Sequence, residues 1–218
     1  MKNSVKYVVW DWNGTLFNDV EICINCMNQV LINHELPIIK SKEEYRSKFC
    51  FPVQKYYENI GFNIQKIPFK QLAKEFIEIY QPNSVRYQFE DEIEALLLKI
   101  QNMGIFQIIL SASNLDNLLA QVDSFGVSKY FINILGVDNI YAKTKIDIAY
   151  RWIKNYKIDS SEIMIIGDTI HDYEVSKEIG CQCVIYNNGH EDIYNKDIGR
   201  SIIINKLGEV LRILGEDS

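Results

Sequence analysis

The fold of this chain is decided by the stretch VKYVVWDWNGTL at residues 5–16, where a short apolar segment ends at a carboxylate. The β-branched and aromatic residues at 5–10 predict a strand, because such side chains favour the half-buried surface of a sheet. Asp11 directly follows this segment, and Asn13 and Gly14 stand just beyond it. In open α/β sheets, ligands bind beyond the carboxyl ends of the strands. We therefore expect Asp11 to lie at a ligand site.

Three further apolar segments end at polar residues in the same way. They predict strands at residues 106–110, 162–166 and 181–186. Helical patterns occupy residues 90–102, 115–125, 145–156 and 172–179. Continuous apolar segments of this length are typical of strands that are buried on both faces of a parallel sheet. The alternation of strand and helix predicts βαβ crossovers, so the expected fold class is α/β with a doubly wound parallel sheet.

Residues 19–83 interrupt this alternation. They carry helical patterns at 20–33, 42–49, 53–60 and 69–80 and no convincing strand. At roughly 150 residues per domain, the 218 residues of the chain correspond to about one and a half domains. The predicted organisation is a discontinuous catalytic core, residues 1–18 and 84–218, with a small α-helical cap domain inserted at residues 19–83.

Charge and composition argue against several classes of partner. The formal net charge is −6 and no long basic run occurs, which argues against nucleic acid. No apolar run approaches the roughly 20 residues that a membrane-spanning helix needs, and no export signal is visible. The odd number of cysteines, 5, favours reduced thiols. We expect a cytoplasmic monomer or homodimer without a membrane or nucleic-acid partner.

The polar residues at the predicted strand ends offer the groups of a metal and phosphate site. They are Asp11 and Asn13 with Gly14 and Thr15, then Ser111, then Lys143 or Lys145, and finally Asp168 with Asp172. Carboxylate oxygens suit Mg²⁺, whose octahedron a substrate phosphate often completes. A hydroxyl and an ammonium group can take the remaining phosphate oxygens. The set therefore predicts a magnesium site for a phosphorylated ligand.

Motifs along essentially the whole chain carry a family resemblance. DWNGTL at 11–16, Ser111 in LSASN, a lysine in AKTKID and GDTIHD at 167–172 resemble, in order and spacing, the motifs of the haloacid dehalogenase-like (HAD) hydrolases. The insert at 19–83 is similar in position to the type-one helical cap of the phosphoglycolate phosphatase-like branch. The resemblance implies a Rossmann-like core and a Mg²⁺-dependent phosphatase that acts on a small phosphorylated metabolite.

The resemblance also implies roles for the acidic residues. Asp11 would be the nucleophile that forms an aspartyl-phosphate, and it would also bind the metal. Asp168 and the backbone carbonyl of Asn13 would be further metal ligands. Asp172, one helical turn after Asp168, would reach a metal-bound water or orient the catalytic lysine.

The remaining motifs are implied to hold the phosphoryl group. Ser111 would donate a hydrogen bond to it, and Ala112 would offer a backbone N–H. Gly14 and Thr15 belong to the same expected substrate-binding set. Lys143 or Lys145 would neutralise the phosphorylated aspartate, and we prefer Lys145 because it directly precedes an apolar helical pattern.

Substrate choice is expected to lie in the cap, which can close over the crevice. Arg46, with Lys48 and Lys55 nearby, is the cation that we predict to contact a second anionic group of the substrate. A solvated helix face explains these three side chains as well.

Asn13 departs from the family pattern, in which an Asp at this position acts as general acid and base. An amide cannot shuttle a proton, so we predict slow hydrolysis unless His171 or His190 substitutes or the leaving group needs no acid. The alternative function is a catalytically weak or inactive phospholigand-binding or regulatory protein. Phosphonate cleavage is a third hypothesis, although no cap lysine identifies itself for it.

Overall fold

The computed structural model describes residues 5–86, 91–137, 145–194 and 196–215. Its centre is a 6-stranded sheet in the order β3-β2-β1-β4-β5-β6, and each neighbouring pair is parallel. The strands are β1 (Tyr7–Trp10), β2 (Phe106–Asn114), β3 (Asn133–Val137), β4 (Ile163–Gly167), β5 (Gln182–Tyr186) and β6 (Ile202–Ile204). The predicted α/β class and doubly wound parallel sheet are confirmed.

Strand β1 lies at the centre of the sheet, which explains its unbroken apolar sequence. Val8 and Trp10 pack into one hydrophobic cluster, and Val9 packs into a second cluster on the opposite face. Trp10 is in register with Ile109 of β2 and with Ile166 of β4. The strand order reverses between β1 and β4, and ligands bind at such a reversal in doubly wound sheets.

Helices flank the sheet and also form the insert that follows β1. The insert contains α1 (Val20–Asn33), α2 (Lys42–Lys48), α3 (Val53–Asn59) and α4 (Phe69–Ser84). The core helices are α5 (Asp91–Asn102), α6 (Leu115–Ser124), α7 (Ile146–Tyr156), α8 (Ile170–Ile179) and α9 (Glu209–Leu214). The helical insert is confirmed, and its division from the core at residues 19 and 83 remains our proposal. Within the described ranges, none of these helices combines the length and apolar character that crossing a bilayer requires.

The strands and helices differ from the sequence prediction in several places. Strand β2 does not end before Ser111 but continues to Asn114, with a register shift between Leu110 and Asn114. The residues of this extension are mostly polar, so the apolar pattern that predicts the strand stops at Leu110. Strands β3 and β6 and helix α9 are also absent from the prediction. Strand β3 contains Asn133 and Gly136, which are uncommon in strands, while a strand of 3 residues and a helix of 6 residues give too little periodic pattern.

Candidate active site

Three carboxylates meet at the carboxyl edge of the sheet, between β1 and β4. Asp11 follows β1, Asp168 follows β4, and Asp172 lies in the first turn of α8. Each contributes an oxygen that lies within 4.8 Å of the other two, and all three residues are buried. Asp172 can lie this close to the end of β4 because residue 167 is glycine, where a Cβ atom would overlap the Asp172 carboxyl group. The predicted acidic site is thus assembled from adjacent strand ends.

Lys145 supplies a cation to this acidic cluster. It precedes α7, is 3% exposed, and places its Nζ in contact with Asp11 Oδ1 and 2.7 Å from Asp172 Oδ1. Burial disfavours the ammonium ion, but Asp11 and Asp172 together raise the pKa of Lys145 above its usual value. Lys143, the other candidate from the sequence, lies outside the described residues.

The charges of the cluster do not balance. Burial, followed by repulsion from Asp172, raises the pKa of Asp168 to about 7. Burial also raises the pKa of Asp11 well above its usual value, despite the nearby Lys145. Burial opposes the charge of Asp172 as well, but Lys145 lowers the pKa of that carboxyl. When ionised, the three carboxylates exceed the single ammonium among the described residues by two negative charges, which burial opposes, so these residues fit a divalent cation with oxygen ligands.

Gly14 and Thr15 organise the carboxylates from the loop after β1. Thr15 Oγ1 donates to Asp168 Oδ1 at 3.0 Å and lies 3.3 Å from Asp11 Oδ2. Gly14 has a φ of +76°, in the left-handed region that favours glycine, and a Cβ atom there would lie 2.8 Å from Asp168 Cγ. In the structure these two residues support the acidic cluster, and neither is among the described residues that line the neighbouring cavity.

A cavity of about 180 Å³ extends from the acidic cluster toward the helical insert. Its core end is lined by the predicted residues Asp11, Asn13, Ser111, Ala112 and Lys145. Ser111 is buried within β2, directly after its apolar part, and its Oγ accepts a hydrogen bond of 3.1 Å from the backbone N–H of Ser113. The structure therefore brings the expected nucleophile, hydroxyl and ammonium to one end of a single cavity.

The side chain of Asn13 is held from three directions. Its Nδ2 donates to Asp19 Oδ2 at 2.8 Å and to the hydroxyl of Tyr80, also at 2.8 Å. Its Oδ1 accepts a hydrogen bond of 2.7 Å from Ser113 Oγ. A carboxylate at position 13 would face the Asp19 carboxylate across the same short distance. The amide at this position therefore suits a neighbour that is itself an acid.

Asp19 is a site residue that the sequence interpretation missed. Its buried carboxylate contacts the side chains of Asn13, Cys23, Tyr80 and His190 and the backbone N–H of Gly14. Burial opposes its charge, yet His190, followed by the hydrogen bonds from Tyr80 and Asn13, lowers the pKa of Asp19. Tyr80 and His190 lie 61 and 171 positions away in sequence, so no local pattern signals this network.

The two histidines considered as substitutes for a proton shuttle occupy different places. His190 lines the cavity, and its ring nitrogens lie 3.1 Å from Asp19 Oδ1 and 2.9 Å from the Tyr45 hydroxyl. Its backbone N–H also donates to Asp168 Oδ2 at 2.6 Å. His171 stacks on Phe51 with ring centroids 4.9 Å apart and is not among the described lining residues.

The structure does not bring Arg46 to the cavity, contrary to its expected contact with substrate. Its Nη2 donates to the carbonyl oxygens of Asn187 and Glu191, at 3.0 and 2.9 Å, and to Asn187 Oδ1 at 3.2 Å. The guanidinium therefore ties α2 to the loop after β5. Lys48 pairs with Glu44 and Lys55 pairs with Glu58, so these ammonium groups are also engaged elsewhere.

Replacing Arg46 by Ala is expected to lower the free energy of unfolding by about 1–3 kcal/mol, because two partly buried carbonyls lose a charged donor. Urea denaturation measures this loss. Lys55→Ala is the matched control, since its exposed ion pair with Glu58 should contribute less than about 1 kcal/mol. Equal small losses in both variants would show that Arg46 does not tie the insert to the core.

Comparisons with known proteins agree with this geometry. A family model described as haloacid dehalogenase-like hydrolase matches residues 8–186. A phosphoglycolate phosphatase of Vibrio parahaemolyticus is 30% identical over 61 residues, which are 28% of this chain and 27% of that protein. The match thus spans about a quarter of the length of this curated relative.

Solved structures share the fold over nearly the whole chain. A haloacid dehalogenase-like hydrolase from Streptococcus pneumoniae has a TM-score of 0.80 at 20% identity and covers 96% of this chain and 98% of its own. Protein Tyrosine Kinase A of Mycobacterium tuberculosis has a TM-score of 0.82 at 15% identity, covering 97% and 98%. At these identities the likeness shows the fold alone, so the chemistry must be argued from the site.

Proposed function

Because the chain belongs to the haloacid dehalogenase-like hydrolases, we propose that it is a phosphatase that uses Asp11 and Mg²⁺ to hydrolyse a small phosphorylated metabolite. The observation that carries this proposal is the position of Asp11. Its carboxylate contacts the ammonium of Lys145, and it lines a cavity that Ser111 also lines. The similarity to a phosphoglycolate phosphatase supports the same class of reaction.

The acidic cluster is the proposed metal site. Asp11, Asp168 and the backbone carbonyl of Asn13 would hold Mg²⁺, with Asp172 contributing directly or through a water molecule. This cluster suits a divalent cation because its ionised carboxylates exceed its ammonium by two charges. Bound Mg²⁺ would reduce the repulsion between an anionic nucleophile and an anionic phosphate.

The chain's own residues can perform both halves of the reaction. An oxygen of Asp11 attacks phosphorus while the bond from phosphorus to the leaving oxygen breaks, so the phosphoryl group passes to Asp11. Ser111 Oγ and the backbone N–H of Ala112 donate to phosphoryl oxygens, and Lys145 compensates their charge. Water then attacks phosphorus, releases inorganic phosphate and regenerates the Asp11 carboxylate.

Asn13 limits both steps. Its Nδ2 is already bound to Asp19 and Tyr80, and an amide neither protonates a leaving alkoxide nor deprotonates water. We therefore propose slow turnover of alkyl phosphates. The second candidate function, a phospholigand-binding or regulatory protein, is favoured by this same locked amide.

Asn13→Asp is expected to raise kcat for an alkyl phosphate by about 10²-fold, the lower end of what general acid–base catalysis contributes. A carboxyl at position 13 can share a proton with Asp19, because two adjacent buried carboxylates raise the pKa of the pair. The measurement is phosphate release with saturating MgCl₂. Asn117→Asp is the matched control, since it adds a carboxylate to the cavity lining away from Asp19 and should give no increase.

The proposed function is tested by phosphate release from a panel of phosphate monoesters. We expect release that requires both MgCl₂ and Asp11. If the unmodified protein and Asn13→Asp both bind inorganic phosphate in a Mg²⁺-dependent manner but hydrolyse nothing, the binding-protein alternative is correct.

A further inference from the structure

The cap side of the cavity is built mainly from apolar and aromatic side chains. Helix α4 lines it with residues spaced one turn apart, so one face of that helix points at the site. Aromatic rings at this end include those of Phe49, Phe51, Tyr56, Phe69, Phe76 and Tyr80. The group that carries the phosphate must therefore lie against rings.

The described residues at this end of the cavity provide no free cation for a second anion, since the imidazole of His190, which also lines the cavity, is bound by Asp19 and Tyr45. Among the described lining residues, Lys145 alone bears an ammonium or guanidinium group, and Asp11 and Asp172 already bind it. The Asp19 carboxylate lines the same cavity. A carboxylate or second phosphate on the substrate would thus be buried among rings beside a negative charge, which is strongly unfavourable.

Two neutral polar atoms in this region lack partners. Within the described structure, the Tyr56 hydroxyl and Gln81 Oε1 are buried and make no hydrogen bond, and both residues line the cavity. Buried polar groups are nearly always satisfied, so such atoms point to a ligand group that is absent here. Tyr56 itself is 3% exposed.

The size of the cavity limits what it can hold. Its volume is about 180 Å³, and it must also admit the phosphoryl group at the Asp11 end. For comparison, an apolar protein cavity of about 150 Å³ binds benzene. The cap end therefore has room for about one ring or a short alkyl chain.

We propose that the substrate is the phosphate ester of a neutral, mainly apolar alcohol about the size of one aromatic ring, bearing an uncharged hydrogen-bonding group. This inference rests on the proposed function and narrows its substrate class. It sets the chain apart from the similar protein named phosphoglycolate phosphatase, because phosphoglycolate carries a carboxylate.

Binding of non-hydrolysable phosphonates tests the proposal without relying on turnover. Titration calorimetry in MgCl₂ compares benzylphosphonate with 4-carboxybenzylphosphonate, which differ only in the charged group. We expect the carboxylated ligand to bind about 10²- to 10³-fold more weakly, as for a buried charge without a partner. Equal or tighter binding of that ligand, or no measurable binding of benzylphosphonate, would overturn the proposal.

A cation placed among the aromatic residues of the cap end should weaken this preference. Phe76 is half-buried against Tyr80, with ring centroids 5.4 Å apart. Phe76→Arg is expected to reduce the difference between the two phosphonates to less than about tenfold, since the added guanidinium would pair with the carboxylate. Phe76→Leu is the control and should keep the preference of the unmodified protein. If a folded Phe76→Arg variant keeps the preference of the unmodified protein, the carboxylate-bearing part of the ligand does not lie at the cap end, and the proposal is contradicted.

A third ligand tests the role of the Tyr56 hydroxyl. 4-(Hydroxymethyl)benzylphosphonate is expected to bind several-fold more tightly than benzylphosphonate, the gain of about one hydrogen bond. Tyr56→Phe should remove that gain, so that the two phosphonates bind this variant with equal affinity. A gain that persists in Tyr56→Phe would overturn the role of this hydroxyl.

Hydrolysis of the matching esters separates this inference from the proposed function. If benzyl phosphate and 4-carboxybenzyl phosphate both resist hydrolysis while the phosphonate preference holds, the phosphatase assignment fails and the ligand class stands. If both esters are hydrolysed with equal kcat/KM and the phosphonates bind equally, the phosphatase assignment stands and the ligand class fails.

Discussion

Asp11→Asn is expected to reduce phosphate release to background, because removal of the nucleophile costs up to about 10⁶-fold in other covalent hydrolases and the unmodified protein is itself expected to be slow. The amide is a poor nucleophile and also removes one metal ligand. Asn has nearly the same volume as Asp, so the substitution leaves no cavity at this buried position between Lys145 and Thr15. The measurement is phosphate release from benzyl phosphate at saturating MgCl₂.

Asp116→Asn is the matched control for this variant. Asp116 lies in the first turn of α6, is exposed, and is not among the described residues that line the cavity. It should keep the activity of the unmodified protein. Circular dichroism and thermal unfolding would verify that Asp11→Asn is folded. Phosphate release by folded Asp11→Asn at an undiminished rate would show that another group attacks phosphorus.

Removal of divalent cation is expected to have an effect of similar size. A chelator should bring phosphate release to background, and added MgCl₂ should restore it. Without the cation the buried carboxylates either repel an anionic substrate or hold protons, and a protonated Asp11 is a poor nucleophile. Asp168→Asn should raise the MgCl₂ concentration needed for half-maximal activity by at least about 10²-fold. This residue is fully buried and its two oxygens are oriented by Thr15 and by the His190 backbone N–H.

Thermal unfolding checks the metal site independently of activity. A ligand present at 100 times its dissociation constant stabilises a folded protein by about 2.7 kcal/mol. MgCl₂ should therefore raise the Tm of the unmodified protein and of Asp116→Asn, and should do so much less for Asp168→Asn. An equal increase in all three proteins would place the bound cation elsewhere.

The sequence sufficed for those parts of the site that depend on strand order. Asp11, Ser111 and Asp168 are far apart in the chain, but each lies at or near the carboxyl end of a buried strand. In a parallel sheet these ends share one edge, and β1 lies between β2 and β4. Apolar patterns that locate the strands therefore also locate the acidic site.

Apolar patterns do not predict the direction in which a polar side chain points. Arg46 lies in the insert as predicted, but its guanidinium turns to Asn187 and Glu191. In the sequence, Asp19 is an acidic residue at the start of a helical pattern, which is common. In the fold, its carboxylate binds the side chains of Tyr80 and His190. These contacts depend on how the insert packs on the core, which periodicity does not encode.

Asn13 shows how the structure changes the meaning of a sequence difference. In the sequence it is a missing acid, and in the fold its amide is a hydrogen-bond partner of Asp19, Tyr80 and Ser113. The same geometry that removes a proton shuttle therefore keeps two buried polar groups satisfied. Under the proposed mechanism, the phosphorylated form of Asp11 lacks a base at position 13 to activate water, so it should accumulate when the leaving group needs no acid and the first step is fast.

Trapping that intermediate tests the central claim most directly. The unmodified protein is mixed with p-nitrophenyl phosphate and MgCl₂, quenched during turnover with borohydride, and analysed by peptide mass spectrometry. Borohydride reduces an acyl phosphate to an alcohol, so the account predicts homoserine at position 11 that requires both substrate and MgCl₂. Homoserine at a different carboxylate, or unmodified Asp11 in a protein that is releasing phosphate, would contradict it.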